Sequence, residues 1–222
     1  MNDSSIIFLY LAGLKGLRFQ PNKLNSNNHL LFKRMTYKTM HFPITVCETE
    51  PKKRSTIINL FGGAGVGKST LAAHTFYKMK CLELNCEIVT EYAKDLVWKE
   101  AHKVLTDEVY VFAKQHHRLK MVADKVDYVI TDSPIILPII YDKSHDVEFR
   151  AFILHMFSKY DNVNFVLERK NKYNPVGRLH TEDEAKSLDV ELRQLLDTEK
   201  IPYYVIDDPA NGWDVIKRVL NL

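Results

Sequence analysis

Short apolar runs alternate along the chain with longer amphipathic segments, and this alternation predicts strands and helices in turn. Runs rich in β-branched and aromatic residues have the length of buried strands, and they cover residues 55–61, 86–90, 127–131, 163–167 and 203–206. Apolar residues spaced three and four apart predict helices over 69–80, 92–104, 106–123, 146–160, 181–199 and 213–220. Strands that alternate with helices favour an α/β fold with a doubly wound, five-stranded parallel sheet.

A glycine-rich segment lies between the first predicted strand and the first predicted helix. Residues 62–70 have the sequence Gly-Gly-Ala-Gly-Val-Gly-Lys-Ser-Thr, which fits the pattern G-x-x-x-x-G-K-[ST]. Glycines here let backbone N–H groups turn inward around phosphate oxygens, at the positive end of the following helix. The segment is therefore predicted to be the P-loop of a P-loop NTPase fold. The predicted nucleotide-binding residues are Gly62, Gly63, Ala64, Gly65, Val66, Gly67, Lys68, Ser69 and Thr70.

Two side chains of the P-loop have an expected part in phosphoryl transfer. Lys68 is expected to reach the β- and γ-phosphates of ATP, where it neutralises charge. The Ser69 hydroxyl is expected to bind Mg²⁺. Phosphoryl transfer also needs a carboxylate near the nucleophile and mobile cations, because catalysis there is mostly positioning and charge neutralisation.

Two carboxylates follow predicted strands, at the sheet edge where ligands bind in such folds. Asp132 comes directly after the strand over 127–131, and it is expected to hold the metal or to accept a proton from a substrate hydroxyl. Glu91 ends the strand over 86–90 and is expected to bind the acceptor hydroxyl. The alternatives are a strand-end turn or helix cap for Asp132, and an ordinary first-turn helix acid for Glu91.

A basic segment over 169–180 joins the fourth strand to a helix that opens at a Thr-x-x-Glu capping box. A basic loop in this place is expected to act as a lid near 169–181 that closes over the γ-phosphate. Arg169 and Arg178 are the predicted catalytic cations of this lid, whereas Lys170 and Lys172 are interpreted as solvated loop residues.

A polar cluster, Gln-His-His-Arg over residues 115–118, lies on the predicted helix over 106–123. Adjacent histidines cannot both face one metal ion from a helix, so a zinc site is rejected here. Arg118 is interpreted either as a substrate-facing cation or as an ordinary surface arginine.

Composition limits the classes of protein that fit. The 222 residues carry a net charge of only +3, so no global field points to nucleic acid or to a membrane surface. Three cysteines form no C-x-x-C pair, which is typical of reduced thiols in a cytoplasmic protein, or of the host cytoplasm for a phage protein. The apolar run over 6–12 is too short to span a bilayer.

Residues 1–53 show no sustained periodicity and are predicted to be a poorly ordered extension ahead of a kinase domain over 54–222. In that interpretation they are a leader, or sequence upstream of a true start at Met35 or Met40. The alternative is a targeting arm or a substrate-binding extension.

In their order, the motifs of residues 56–220 resemble those of nucleoside and nucleotide kinase-like P-loop proteins. The resemblance is strongest to the ribosylnicotinamide kinase-like, AAA-type ATP-binding domain of bacteria and phages, and it implies that Glu91 and Asp132 are site carboxylates and that Arg178 belongs to a lid. Asp132 is followed by Ser-Pro, where thymidylate-kinase-like and deoxynucleoside-kinase-like sites often have Arg, so the resemblance does not name the acceptor. The segments that carry it are residues 62–70, 91–94, 115–118, 131–133, 177–181 and 201–205.

These observations predict an ATP- and Mg²⁺-dependent phosphotransferase that acts on a hydroxyl or phosphate of a small nucleoside-like acceptor. An alternative acceptor is a hydroxymethylated base within DNA, because phage enzymes of this broad family act there. The alternative from another class is a nucleotide-binding switch or ATPase module that acts on a protein partner. The sequence indicates neither an oligomeric state nor which of Glu91 and Asp132 is the base.

Overall fold

Residues 54–170 and 181–222 are the part of the chain described by this computed structural model. Within them, five parallel strands form one sheet in the order β2-β3-β1-β4-β5. The strands are β1 Thr56–Phe61, β2 Cys86–Val89, β3 Tyr128–Thr131, β4 Asp161–Leu167 and β5 Tyr204–Ile206. The predicted doubly wound, five-stranded parallel α/β sheet is confirmed.

Helices follow the strands in the order that the periodicity predicts, with one more short helix at Pro138–Tyr141 that was not predicted. They are α1 Lys68–Cys81, α2 Tyr92–Trp98, α3 His102–Leu105, α4 Glu108–Val122, α5 Pro138–Tyr141, α6 Val147–Phe157, α7 Glu182–Thr198 and α8 Gly212–Val219, with a 3-10 turn at Pro209–Asn211. No helix in residues 54–170 and 181–222 combines the length and the apolar character needed to span a membrane.

The two faces of the sheet are buried against different helices, because successive side chains of a strand point to opposite faces. In β1, Ile57 and Phe61 pack with α4, α6 and α7, whereas Ile58 and Leu60 pack with α1 and α8. All four of these side chains are completely buried. The central strand is therefore fixed from both sides, and the loop that follows it starts from a rigid base.

Strand register brings the predicted site residues to one edge. Thr131 at the end of β3 pairs with Asn59 of β1 and with Val89 of β2. Residues that follow these strands therefore leave the sheet side by side. By this register Asp132 lies level with Leu60, just before the P-loop, and level with Thr90, just before α2.

Three local predictions are wrong. The helix expected over 92–104 is two helices, because Glu100 adopts a left-handed φ of 54° and the Ala101 N–H bonds the Leu96 carbonyl, which ends α2. The cap of α4 is Asp107, whose side chain accepts from the Tyr110 N–H, and not the preceding threonine. The helix expected to reach residue 160 ends at Phe157.

The predicted extension over 1–53 and residues 171–180 of the predicted lid lie outside the described residues.

Candidate active site

The P-loop has the backbone that its glycines predict. Gly62, Gly65 and Gly67 have φ values of 145°, 85° and 107°, in a region that favours glycine. Gly67 caps α1, so the positive end of that helix faces the loop. The Lys68 ammonium group donates to the carbonyl oxygens of Gly62 at 2.5 Å and Gly63 at 3.0 Å. The lysine is thus held over the loop.

A cavity of about 940 Å³ opens beside the P-loop. One end is lined by the loop and the start of α1, including Lys68 and Ser69, with Asp132 and Glu91 beside them. The other end is lined by residues of α4 and α5, including the apolar Val111. Leu137, Pro138 and Tyr141 also line this end of the cavity. Such a volume is typical of sites for small molecules.

Asp132 is buried at the P-loop end of this cavity, with 7% of the residue exposed. Its Oδ1 atom has no hydrogen-bond partner within the described residues. Burial raises the pKa of this carboxyl above its usual value, while Lys68, Lys94 and the backbone N–H groups of Asp132 and Glu91 oppose the rise. The result is a desolvated carboxylate with one buried oxygen that has no hydrogen-bond partner within the described residues.

Glu91 lies at the N-cap of α2 and lines the same cavity. The next residue, Tyr92, donates its backbone N–H to the Gln115 Oε1 atom at 2.8 Å, which ties the start of α2 to α4. The structure therefore brings Glu91, Asp132, Lys68 and the P-loop together, as the strand-end argument predicts. Their catalytic and metal-binding roles stay predictions.

Gln115 lines the cavity with only 4% of the residue exposed. Because a backbone N–H can only donate, its bond to Oε1 fixes the orientation of the amide. The other terminal atom of the amide is therefore Nε2, which carries two N–H donors. Nε2 has no hydrogen-bond partner among the residues described. The sequence argument treated this residue only as part of a cluster. The signal that marks it is the spacing of Glu108, Val111 and Gln115, which places all three on one face of α4.

Glu108 gives the end of the cavity lined by α4 and α5 an acidic character that the sequence argument missed. Burial, together with the nearby Asp142 and Asp107, raises its pKa to about 7. The pKa of Tyr141 is also raised, chiefly by burial and then by Glu91 and Glu108. Glu91, Glu108 and Asp142 are distant from one another in sequence, so only the fold shows that they share a cavity.

Besides Gln115, two residues of the polar cluster on α4 have structural contacts. Arg118 forms an ion pair with Asp95, donates to the Thr90 carbonyl at 3.2 Å and stacks on the Tyr92 ring. These contacts fix the junction between β2 and α2. The Nε2 atom of His116 lies 2.9 Å from the Tyr160 hydroxyl. Within residues 54–170 and 181–222, no group of three His, Cys, Asp or Glu side chains is arranged to hold a metal ion.

Arg169 lies against the P-loop. Its Nη1 atom donates to the Ala64 carbonyl at 2.8 Å, and its Nε and Nη2 atoms donate to Asp189 of α7 at 3.0 and 2.8 Å. Its predicted role as a lid cation is untested by these contacts, and Arg178 lies outside the described residues.

A family model described as an AAA domain matches residues 57–213. The chain belongs to this AAA domain family. The match covers the P-loop, both site carboxylates and α7, so the AAA domain contains the whole candidate site. None of the curated proteins matches the chain.

Solved structures share the fold of this AAA domain. The NadR protein in complex with NR matches with a TM-score of 0.57 and 18% identity, over 76% of this chain and 52% of that one. The chain thus spans about half the length of that protein. Thymidylate kinase from Ehrlichia chaffeensis matches with a TM-score of 0.52 and 15% identity, over 75% of this chain and 99% of that one. At these identities the likeness concerns the fold, and it confirms the expected resemblance to P-loop kinase-like proteins.

Proposed function

We propose that this protein is a kinase that transfers the γ-phosphoryl group of ATP to a hydroxyl or phosphate of a small nucleoside-like acceptor. The observation that carries the proposal is one cavity with a P-loop and Lys68 at one end and room for an acceptor at the other, with the buried Asp132 between Lys68 and Glu91. We assign this activity to residues 54–222.

The residues at the phosphate end fit Mg²⁺. Asp132 presents a buried oxygen that has no hydrogen-bond partner in the described part of the chain, and the Ser69 side chain lines the same cavity. Carboxylate and hydroxyl oxygens are hard ligands, which suit this ion. Asp132 and Ser69 would hold Mg²⁺, directly or through water, and the ion would supply positive charge to the phosphates.

The chain's own residues supply the other parts of the reaction. Lys68 would neutralise charge on the β- and γ-phosphates, which replace the loop carbonyls as its partners. Asp132 or Glu91 would accept the proton of the acceptor hydroxyl, since both line the cavity. Arg178 would close over the γ-phosphate as part of the lid.

The far end of the cavity suits a flat polar acceptor. Val111, Leu137 and Tyr141 provide an apolar wall, and Gln115 brings amide donors that have no partner within residues 54–170 and 181–222. A nucleoside base has apolar faces and hydrogen-bond acceptors at its edge. NR, the compound bound in the NadR structure, and deoxynucleotides are therefore sensible first acceptors to test.

Gln115→Glu is expected to raise the KM for the acceptor about tenfold, with the Kd for ATP changed less than about twofold. Glutamate keeps the oxygen that accepts from the Tyr92 N–H but replaces the donors that face the acceptor. Gln194→Glu is the matched control, because it adds the same charge at an exposed position of α7. Equal KM values for the wild type and Gln115→Glu would remove Gln115 from the acceptor site.

A transfer screen tests the proposal. Purified full-length protein is incubated with Mg²⁺ and γ-labelled ATP, with nucleosides, nucleotides, ribosylnicotinamide and hydroxymethylated DNA offered separately. We expect label on a small acceptor. Label on DNA would instead support the alternative kinase of a modified base. ATP hydrolysis that no acceptor stimulates would contradict the proposal and favour a switch or ATPase module.

A further inference from the structure

We propose that Arg169 and Asp189 form a clamp that positions the P-loop for ATP, an inference that rests on the proposed kinase function. Asp189 lies on α7, and Arg169 follows the last residues of β4. Both are far from residues 62–70 in sequence, and neither belongs to the phosphate-binding motif.

The contacts form a continuous bridge from α7 to the loop. The Oδ1 atom of Asp189 accepts from the Gly63 N–H at 2.5 Å, while Oδ2 accepts from Nε and Nη2 of Arg169 at 3.0 and 2.8 Å. The remaining arm of the guanidinium group donates through Nη1 to the Ala64 carbonyl at 2.8 Å. Two successive residues of the P-loop are thus held, Gly63 through its N–H and Ala64 through its carbonyl.

The clamp lies in a protected place. The side chains of Arg169 and Asp189 are only 12% and 23% exposed, so solvent weakens these charge-assisted bonds less than at the surface. The loop also approaches α7 closely at this point. A Cβ atom on Gly63 would lie 2.9 Å from Asp189 Oδ1 and 3.0 Å from Arg169 Nη2. The backbone carbonyl oxygen of Ala185 on α7 would be closer still. Gly63 is therefore required by the close approach of the loop to α7 and to the clamp, rather than by its backbone angles.

The clamp assigns Arg169 a positioning role in place of direct contact with the transferred phosphoryl group. Phosphate binding by a P-loop depends on the aim of several backbone N–H groups at once. A loop that is free to shift at Gly63 and Ala64 spends less time in the binding geometry, and the apparent affinity for ATP falls in proportion.

The chain offers a matched control. Arg193 is one helical turn beyond Asp189 on α7, and it pairs with Glu168, the neighbour of Arg169, at 3.4 Å. This second ion pair links the same helix to the end of the same strand, but within the described residues neither side chain has a hydrogen bond or ion pair to the P-loop. Arg193→Ala thus reproduces the loss of an ion pair between α7 and β4 without loss of the clamp.

The test measures the Kd of a methylanthraniloyl-labelled ATP analogue, the thermal midpoint, and hydrogen–deuterium exchange of a peptide that contains Gly63. Asp189→Ala is expected to raise the Kd about 10- to 100-fold and to speed exchange in that peptide, because charge-assisted bonds to the loop are lost. Arg193→Ala is expected to leave both readouts near wild type. Asp189→Asn keeps the shape and one acceptor oxygen, so it should give a smaller change if Asp189→Ala does not fold.

A wild-type Kd and wild-type exchange in both Asp189 variants would overturn the clamp while leaving the kinase proposal intact. Equal losses in Asp189→Ala and Arg193→Ala, in step with the thermal midpoint, would also overturn it, because the role would then be general stability. If the wild type binds no ATP, the kinase proposal fails, and faster exchange in Asp189→Ala alone would still support the clamp.

Discussion

Lys68→Ala is expected to lower ATP-dependent phosphoryl transfer about 10³-fold or more, while the protein stays folded. Lys68 is the P-loop cation beside both the loop carbonyls and the buried Asp132, so its removal leaves the developing phosphoryl charge without this partner. The measurement is the initial rate of label transfer under saturating ATP, with circular dichroism as the check on folding.

Lys80→Ala is the control for loss of a lysine from the same helix. Lys80 lies in the last turn of α1, is 44% exposed on its side chain, and pairs with Glu87 at 3.7 Å. Its removal is expected to leave the rate within about twofold, since exposed ion pairs contribute little. Lys68→Ala enzyme with a rate like that of Lys80→Ala would contradict the phosphate-binding role of the P-loop.

Asp132→Asn is expected to lower kcat about 10²- to 10⁴-fold and to change the Kd for ATP far less. The amide keeps the shape of the side chain but cannot accept a proton or offer a charged oxygen to Mg²⁺. Asp161→Asn is the matched control, because Asp161 begins β4 at the opposite end of the parallel sheet and contacts Thr56. Unchanged kcat in Asp132→Asn would move the search for the catalytic carboxylate to Glu91.

The raised pKa of Asp132 gives this prediction a pH signature. The carboxyl must lose its proton to act as a base, so wild-type kcat/KM, which reports the pKa of the free protein, is expected to fall as pH drops through a pKa above 3.8. For stability the sign is opposite. A carboxyl whose pKa is raised on folding stabilises the protein at pH values below its unfolded pKa, and loses that contribution as pH rises through the folded pKa. Asp132→Asn should therefore be no less stable than wild type at neutral pH, while its activity is lost.

The sheet and the phosphate end of the site could be predicted from sequence because their signals are local. A glycine motif between a strand and a helix defines the P-loop, and the buried runs define the strands. Asp132 could be placed beside that loop because parallel strands end at one edge, and the pairing of β1 with β3 bears this out. The N-caps at Asp146 and Thr181 were also predictable, since capping depends on residues within one turn.

The rest depends on contacts between distant parts of the chain. Gln115 lies 23 residues from its partner Tyr92, and Asp189 lies 126 residues from Gly63. No local pattern distinguishes these residues from other polar residues on amphipathic helices. The break at Glu100 escaped prediction for a different reason, because a left-handed glutamate leaves the helical pattern of charges and apolar residues unchanged.

The central claim is that a phosphoryl group passes from ATP at one end of the cavity to an acceptor at the other end. The fate of the γ-phosphate tests this claim most directly. Labelled phosphate is counted on the acceptor and in free inorganic phosphate, for wild type and Lys68→Ala, with and without the best acceptor of the screen. The account predicts that label moves to the acceptor and that little inorganic phosphate is released when no acceptor is present. Lys68→Ala is expected to abolish the transfer of label to the acceptor. Release of inorganic phosphate at the same rate whether or not any acceptor is present would contradict it.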